Sequence, residues 1–314
     1  MPHLLFVFLD GVGLGPADPD RNPLARFDLP ALARLGGGHA WTDRLPVRAE
    51  PSHVVRPLDA TLGVEGLPQS GTGQATLFTG INCARVAGRH FGPFPHSRTR
   101  PLLDAQSLFH RLRAAAPEEP HPAAFANAYP PRFFTYARQR NRWTVTTRCC
   151  RAAGVRLRGI EDLQRGEALA ADLTGHGWAP LDLPVHPIDE AEAARRLHRL
   201  GRSHTVTLFE YFLTDKAGHS QSFERAEAVL RSLERFFTHL IACLDPAEDL
   251  LLITSDHGNL EDLSTRSHTR HPVPLIALGH GAAAFAEAAD LTDVAPAIVR
   301  LAGRNPDATA ADPS

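Results

Sequence analysis

The sequence predicts an α/β fold built on a doubly wound, mainly parallel sheet. Three apolar, β-rich runs predict buried strands: LLFVFLDG (4–11), TVTLFEYFLTD (205–215) and DLLLITSDHG (249–258). A fourth run, PVPLIALG, ends at Gly279. Their hydrophobicity is continuous rather than alternating, which is typical of strands covered on both faces. We therefore expect helices on both sides of this sheet.

Two segments carry the apolar periodicity expected of such helices. Residues 189–201 begin with acidic residues and end at a glycine, and residues 222–244 form a longer amphipathic stretch that begins at a serine. Strands that alternate with helices predict a sheet whose ligands lie beyond the carboxyl ends of its strands.

The middle of the chain differs from both ends. Residues 86–184 are rich in Pro and Arg and contain no long apolar run, which predicts a smaller inserted cap domain. Residues 1–85 and 185–303 form the predicted core. The polar tail, 304–314, is predicted to be disordered.

Overall composition excludes several classes of partner. The 33 Lys and Arg residues nearly balance the 35 Asp and Glu residues, so no global charge favours nucleic acid or an anionic membrane. Four cysteines are too few for a disulfide framework. No stretch approaches the ~20 apolar residues of a spanning helix, and the opening run does not fit a signal peptide. We predict a cytoplasmic protein and leave its oligomeric state open.

Two predicted strands end in residues that can bind a metal. Asp10 follows the first run in a Gly-rich turn, whose dinucleotide fingerprint fails because Pro16 replaces a glycine. Asp256 and His257 end the third run, and Gly258 allows the chain to turn there. Taken singly, Asp10 is better explained as a turn or cap residue. For Asp256 and His257, the apolar run before them favours a functional role over a polar strand end followed by a turn.

Two further motifs add candidate ligands. Asp215 and His219 are four residues apart in DKAGH, so on a helical turn their side chains would face the same way. Such a pair is common by chance in a chain with 17 histidines. His268 and His271 precede the fourth strand, and either could be a ligand.

A Gly- and hydroxyl-rich loop, GLPQSGTGQATLFTG (66–80), precedes a predicted helix. It offers Ser70, Thr72 and Thr76. Backbone N–H groups at a helix N-terminus bind anions, and a hydroxyl beside a metal can act as a nucleophile. The lysine of a phosphate-binding P-loop is missing.

Taken together, these motifs supply three aspartates, at least two histidines and a hydroxyl at strand ends. Such a set suits two divalent ions about 4 Å apart that steady different oxygens of a displaced phosphoryl group. Mixed aspartate and histidine ligation favours Zn²⁺ or Mn²⁺.

The order and context of the motifs resemble the alkaline phosphatase superfamily, in particular the branch of cofactor-independent phosphoglycerate mutase and phosphopentomutase. The resemblance rests on DGVG, SGTGQATLFTG, DKAGH, SDHGN and HTRHPVPLI, and covers about residues 1–80 and 188–303. It implies an alkaline-phosphatase-like fold and a metalloenzyme.

The resemblance also implies roles for individual residues. Thr72 looks like the nucleophile and a metal-bound hydroxyl. One ion would be surrounded by Asp10, Thr72, Asp256 and His257, and the other by Asp215, His219 and His268. His271 falls at a non-ligand position, where it would lie behind the ligands or face substrate.

The cap offers candidates for binding substrate, since arginine holds phosphate or carboxylate and aromatic neighbours can stack. We take Arg89, His90, Asn127 and Arg132 as these candidates and regard most other cap arginines as solvated or paired with acids.

We predict a metal-dependent hydrolase of phosphoric esters, a phosphatase or phosphodiesterase acting on a small phosphorylated substrate. The small insert favours hydrolysis over a phosphomutase, which is the alternative within the superfamily. A non-catalytic metal-binding relic is a second alternative, although a relic would be expected to have lost a ligand. A sulfatase is disfavoured because the loop has no cysteine.

Overall fold

The computed structural model describes residues 2–117, 119 and 121–303. Its strands are β1 (His3–Leu9), β2 (Arg48–Glu50), β3 (His53–Leu58), β4 (Ala123–Phe125), β5 (Val206–Tyr211), β6 (Asp249–Thr254) and β7 (Val273–Gly279). They form one seven-stranded sheet with the order β2-β3-β7-β6-β1-β5-β4.

Five of the seven strands run in the same direction. Strands β4, β5, β1 and β6 are adjacent and parallel, while β7 is antiparallel to β6, β3 to β7 and β2 to β3. The predicted mainly parallel α/β sheet is confirmed. The carboxyl ends of β1, β5 and β6 therefore lie side by side at one edge of the sheet.

Helices cover both faces of this sheet. They are α1 (Pro23–Arg26), α2 (Pro30–Leu35), α3 (Ser70–Thr79), α4 (Cys83–Ala87), α5 (Arg100–Gln106), α6 (Leu108–Ala115), α7 (Pro131–Arg140), α8 (Val145–Ala152), α9 (Ile160–Gln164), α10 (Glu190–Gly201), α11 (Leu213–Ser220), α12 (Phe223–Cys243) and α13 (Val294–Ala302). Short 3₁₀ helices lie at His176–Leu181, Ala282–Phe285 and Leu291–Asp293.

The two predicted covering helices are present as α10 and α12. Asp189 caps α10 by accepting a hydrogen bond from the Glu192 amide at 2.7 Å, and Ser222 caps α12 through the Arg225 amide at 3.2 Å. The predicted strand 205–215 ends earlier, at Tyr211, and its polar end forms α11. A side-chain cap satisfies an amide that the helix itself leaves unpaired.

Strand β1 is buried on both faces, which explains its continuous hydrophobicity. Phe6 and Phe8 join one core cluster, and Leu5 and Val7 join the other. Phe78 of α3 packs edge-on against Phe6 and Phe8, with ring centroids 6.4 and 6.0 Å apart. This packing fixes α3 against the centre of the sheet.

The segment predicted as an insert contributes to the same sheet and core. Strand β4 pairs with β5, and Phe125, Leu103 and Cys149 are buried in the first core cluster. The division into a core and an inserted cap domain stays a prediction, and residues 304–314 lie outside the described residues. In the described part of the chain, no helix combines the length and apolarity needed to cross a membrane.

Candidate metal centre and active site

The turn that follows β1 carries Asp10, the first of the candidate ligands. Asp10 is 8% exposed, and the next residue, Gly11, has a φ of +71°. A Cβ on Gly11 would lie 2.7 Å from the Asp215 carboxylate. Only glycine fits this left-handed turn while allowing that carboxylate so close.

The end of β6 presents Asp256 and His257, both fully buried. The Gly11 amide donates to Asp256 Oδ1 at 3.4 Å, and the Val12 amide donates to Ser255 Oγ at 2.9 Å. The turns that follow two neighbouring parallel strands are thus tied together. His257 Nε2 lies 3.3 Å from Asp10 Oδ1 and 3.6 Å from Asp256 Oδ2.

Helix α11 brings the Asp215 and His219 side chains to the same face, as predicted for an i,i+4 pair on a helix. Asp215 Oδ2 lies 3.3 Å from His219 Nε2. His268, from the loop before β7, completes this group, with Nε2 at 3.6 Å from Asp215 Oδ1 and 3.3 Å from His219 Nε2. Its ring also stacks on His257, with centroids 3.7 Å apart.

All three imidazole rings have a backbone carbonyl at Nδ1. The partners are Gly258 O for His257, Arg266 O for His219 and Pro68 O for His268, at 3.4, 2.7 and 2.7 Å. A carbonyl can only accept, so Nδ1 is the donor and the lone pair of a neutral ring lies on Nε2. This arrangement orients histidines that bind a metal, and here every Nε2 faces the carboxylates.

The surroundings of two carboxylate oxygens indicate whether a cation fits among these side chains. Asp10 Oδ1 and Asp256 Oδ2 are buried and accept no hydrogen bond from any described residue. Buried charge without such partners is costly unless a counter-ion compensates it. The residues present therefore fit a divalent metal.

The electrostatics of the group agree with this fit. Burial is the main cause that raises the pKa of Asp10 well above its usual value, and the Asp256 charge adds to it. Burial alone would lower the pKa of His257, yet Asp256, Asp10 and Asp215 raise it to about 10. The surrounding negative charge thus strongly favours a cation at this position.

Among the described residues, two compact groups of ligand atoms are found, and in each group the atoms lie within 4.8 Å of one another. The first, Asp215, His219 and His268, is the set predicted for one ion. The second joins Asp10 and His257 to the same Asp215, so that this carboxylate lies between the two groups. The predicted ligand sets stay a prediction, and the structure brings their aspartates and histidines together.

The hydroxyl that contacts this cluster belongs to Ser70, the first residue of α3. Ser70 Oγ lies 2.9 Å from His257 Nε2. Thr72, which the resemblance implied as the nucleophile, is fully buried and faces the backbone instead. Its hydroxyl donates to Gln69 O at 3.2 Å and accepts from the Phe91 amide at 3.1 Å.

The segment around Phe91 explains why Thr72 turns inward. Phe91 O accepts from the Thr72 amide at 2.8 Å, so this segment lies against the first turn of α3. A Cβ on Gly71 would lie 2.6 Å from Phe91 O. Thr72 thus fastens the segment to the helix, and its role as nucleophile stays a prediction that these contacts do not favour.

Two of the predicted substrate-binding residues have internal partners. Asn127 is 1% exposed and lies two residues after β4. Its Nδ2 donates to Glu210 O of β5 at 2.7 Å, and its Oδ1 accepts from the Glu210 amide at 2.8 Å. His271 Nδ1 lies 3.1 Å from the buried carboxylate of Glu261. These contacts explain both residues without a substrate.

The other predicted substrate-binding residues lie nearer the surface. Arg89 is exposed, with its guanidinium carbon 5.6 Å from the centre of the Phe91 ring. His90 is half-buried, and burial lowers its pKa. Arg132 is exposed at the start of α7. Their roles stay predictions.

Sequence reasoning missed three residues that hold the candidate ligands. Gln74 Nε2 donates to Asp10 Oδ2 at 3.3 Å, and Asn259 Nδ2 donates to Asp215 Oδ1 at 2.7 Å. Glu261 is fully buried among the loops. Gln74 could have been found from the sequence. It lies four residues after Ser70 on the same helix, so the two side chains are expected on the same face.

Comparison with known proteins supports the resemblance. Residues 186–306 match the family model described as Metalloenzyme superfamily. A 2,3-bisphosphoglycerate-independent phosphoglycerate mutase from Vibrio parahaemolyticus is 36% identical over 110 residues, which cover 33% of this chain and 21% of the mutase. The match therefore spans about a fifth of the length of this curated relative.

Solved structures agree in fold. The alkaline phosphatase from the Antarctic bacterium TAB5 has a TM-score of 0.51 and 12% identity, covering 97% of this chain and 99% of that one. The cold-active alkaline phosphatase from a Shewanella species has a TM-score of 0.52 and 12% identity, covering 95% and 100%. The alkaline-phosphatase-like fold and the predicted resemblance are confirmed.

Proposed function

We propose that this protein is a two-metal enzyme that transfers a phosphoryl group, with Ser70 as its nucleophile. One observation carries the proposal: three histidine Nε2 atoms and the carboxylates of three aspartates converge beside the Ser70 hydroxyl, and two of their buried oxygens accept no hydrogen bond from a described residue. A hydroxyl beside such a ligand set is the arrangement that two-metal phosphoryl transfer needs.

The metals would be held by the two neighbouring groups of ligands. Asp215, His219 and His268 would hold one ion, and Asp10, Asp256 and His257 with the Ser70 hydroxyl would hold the other. Bound there, Zn²⁺ or Mn²⁺ would lower the pKa of the serine hydroxyl and stabilise charge on the phosphoryl oxygens.

The protein itself contributes position and polarity. Ser70 begins α3, so its hydroxyl lies at the N-terminus of this helix, where the helix dipole favours negative charge. Attack forms a bond from Ser70 Oγ to phosphorus and breaks the bond from phosphorus to the leaving oxygen, giving a phosphoserine. The α3 packing on Phe6 and Phe8 keeps the nucleophile still during this displacement.

Hydrolysis is the favoured outcome, with water accepting the phosphoryl group from Ser70. A phosphomutase is the second candidate, because the curated relatives with matching sequence are named phosphoglycerate mutases. A non-catalytic relic is disfavoured, since the Asp and His side chains of both ligand groups are present and oriented. The two activities differ only in whether water or a second substrate hydroxyl receives the group.

The substrate is proposed to be a small phosphorylated molecule that meets the cap, residues 86–184. Arg89 lies on the aromatic ring of Phe91, whose backbone flanks α3. Guanidinium groups in such positions bind phosphate or carboxylate. A cytoplasmic location is proposed with this function.

The test is metal content together with a screen of phosphate esters. Protein purified with Mn²⁺ or Zn²⁺ should contain close to two metal ions per chain and hydrolyse at least one phosphate monoester or diester. Sugar phosphates and phosphoglycerates should be monitored by ³¹P NMR, which separates released phosphate from an isomerised ester. Protein that holds no stoichiometric metal and converts no ester would contradict the proposal.

A further inference from the structure

Glu261 is a fully buried carboxylate outside the candidate ligand set, and each of its oxygens accepts two hydrogen bonds. Oε2 accepts from the Gly13 amide at 2.9 Å and from the Asn259 amide at 2.8 Å. Oε1 accepts from the Thr269 hydroxyl and from His271 Nδ1, the latter at 3.1 Å. Four donors satisfy the charge without a metal.

The four donors come from three different loops, and each loop carries candidate ligands. Gly13 lies three residues after Asp10, and Asn259 lies two after His257. Thr269 directly follows His268. A single carboxylate therefore joins the turn after β1, the turn after β6 and the loop before β7.

The glycines of this region make room for Glu261. A Cβ on Gly13 or Gly258 would collide with Glu261 Oε1, and a Cβ on Gly15 would lie 2.6 Å from its Cγ. The Gly-rich turn after Asp10 thus accommodates a buried protein carboxylate.

We propose that Glu261 is a positioning residue that sets the spacing of the three ligand-bearing loops and thereby the affinity for metal. This inference rests on the proposed function. Carboxylates behind the ligands of a metal site fix ligand orientation, and their loss typically weakens metal binding by about ten- to a hundredfold. His271, predicted from sequence to lie behind the ligands or to face substrate, donates to this carboxylate.

The competing explanation is a buried charge pair that only stabilises the fold. Asp249 provides a matched control, because it is also buried and paired with a histidine, His198, at 2.9 Å. Asp249 opens β6, at the opposite end of the strand from Asp256 and His257. Its removal should destabilise the protein without disturbing the ligand loops.

The experiment measures the dissociation constant for Mn²⁺ by titration calorimetry and the unfolding free energy of the metal-free proteins. We expect Glu261→Ala to weaken Mn²⁺ binding by about ten- to a hundredfold. Asp249→Ala should lower stability and leave the dissociation constant unchanged. Equal dissociation constants for Glu261→Ala and wild type, or an equal loss of affinity in both variants, would overturn the proposal.

Two conservative variants separate geometry from charge and serve if Glu261→Ala does not fold. Glu261→Asp keeps the charge but is one methylene too short to reach all four donors, so Mn²⁺ binding should weaken. Glu261→Gln keeps the length, accepts from Gly13 and Asn259, and can donate to Thr269 Oγ1 and a neutral His271, so it should bind nearly as wild type does. The reverse order would contradict a positioning role.

Failure of this inference is distinguishable from failure of the proposed function. If the wild-type protein binds no Mn²⁺ or Zn²⁺, both the proposed function and the positioning role of Glu261 are wrong. If the wild type binds metal and the Glu261 variants bind it equally well, only the positioning role is lost.

Discussion

The Ser70 hydroxyl lies 2.9 Å from Nε2 of His257, at the point where helix α3 meets the end of β6. The two residues are 187 positions apart in sequence. Because the same imidazole lies 3.3 Å from Asp10, the hydroxyl joins the candidate metal ligands rather than the nearby backbone. This contact favours Ser70 over Thr72 as the nucleophile.

Substitution of Ser70 and of Thr72 should therefore have different effects. We expect Ser70→Ala to lower kcat by about three orders of magnitude or more while leaving metal content near that of wild type. Thr72→Val, which removes the hydrogen bond from the Phe91 amide, should lower stability and retain most activity. Steady-state kinetics on the best ester from the screen, with metal analysis of both variants, checks this. If Thr72→Val abolished activity and Ser70→Ala retained most of it, Thr72 would be the nucleophile instead.

Replacing Asp256 by asparagine should change stability in opposite directions with and without metal. Asp256 is fully buried, and its Oδ2 accepts no hydrogen bond from a described residue. Burial is the main cause that raises the pKa of Asp256; His257 opposes this shift and Asp215 adds to it. With chelator at pH 8, Asp256→Asn should stabilise the protein by about 1 kcal/mol, because burial and the Asp215 charge disfavour the ionised carboxylate more than His257 favours it. With saturating Mn²⁺, the variant should be less stable than wild type, because metal binding stabilises the folded state.

Thermal unfolding of both proteins, with chelator and with Mn²⁺, measures this reversal. Asp245→Asn, at an exposed turn before β6, is the control and should not reverse sign. A variant that is destabilised equally in both conditions would show that Asp256 has a structural role only.

Arg89 should affect substrates that carry a second negative charge. Its guanidinium carbon lies 5.6 Å from the centre of the Phe91 ring, and the Phe91 backbone contacts the first turn of α3, which carries Ser70. We expect Arg89→Gln to raise KM severalfold for phosphate esters that also bear a carboxylate or second phosphate, and to leave KM for a neutral aryl phosphate unchanged. Arg34→Gln, exposed on α2, is the control. Equal effects on both kinds of ester would remove Arg89 from substrate recognition.

The sequence was sufficient for residues whose position follows from the end of a strand. Asp10, Asp256 and His257 follow buried parallel strands, whose carboxyl ends must meet at one edge of a sheet. Asp215 and His219 were paired by helical spacing alone. Local pattern and a general rule of topology therefore gave the candidate ligands, and the family resemblance implied how they would group around two ions.

The choice between Ser70 and Thr72 could not be made in the same way. Both are hydroxyls in the first turn of one helix, and the burial of Thr72 depends on Phe91, which folds back from 19 residues further along the chain. The partner of His271 could not be predicted either. Glu261 contacts it because the loop between them folds back on itself, and such a fold leaves no periodic pattern in the sequence. Non-local contacts decided both cases.

The buried carboxyl of Glu210 should make stability fall as pH rises. Burial, followed by the Asp256 charge, raises the pKa of Glu210 from its ordinary 4.5 to about 7, although Thr146 opposes the shift. The folded state then holds the proton more tightly than the unfolded chain, so the protein is favoured below pH 4.5 and loses about 3 kcal/mol from this group by pH 7 and above. Glu210→Gln stays neutral and should lack this loss, so its advantage over wild type should grow between pH 5 and 8. Urea unfolding of metal-free protein across this range measures the difference, with exposed Glu287→Gln as control; parallel curves for Glu210→Gln and wild type would contradict the prediction.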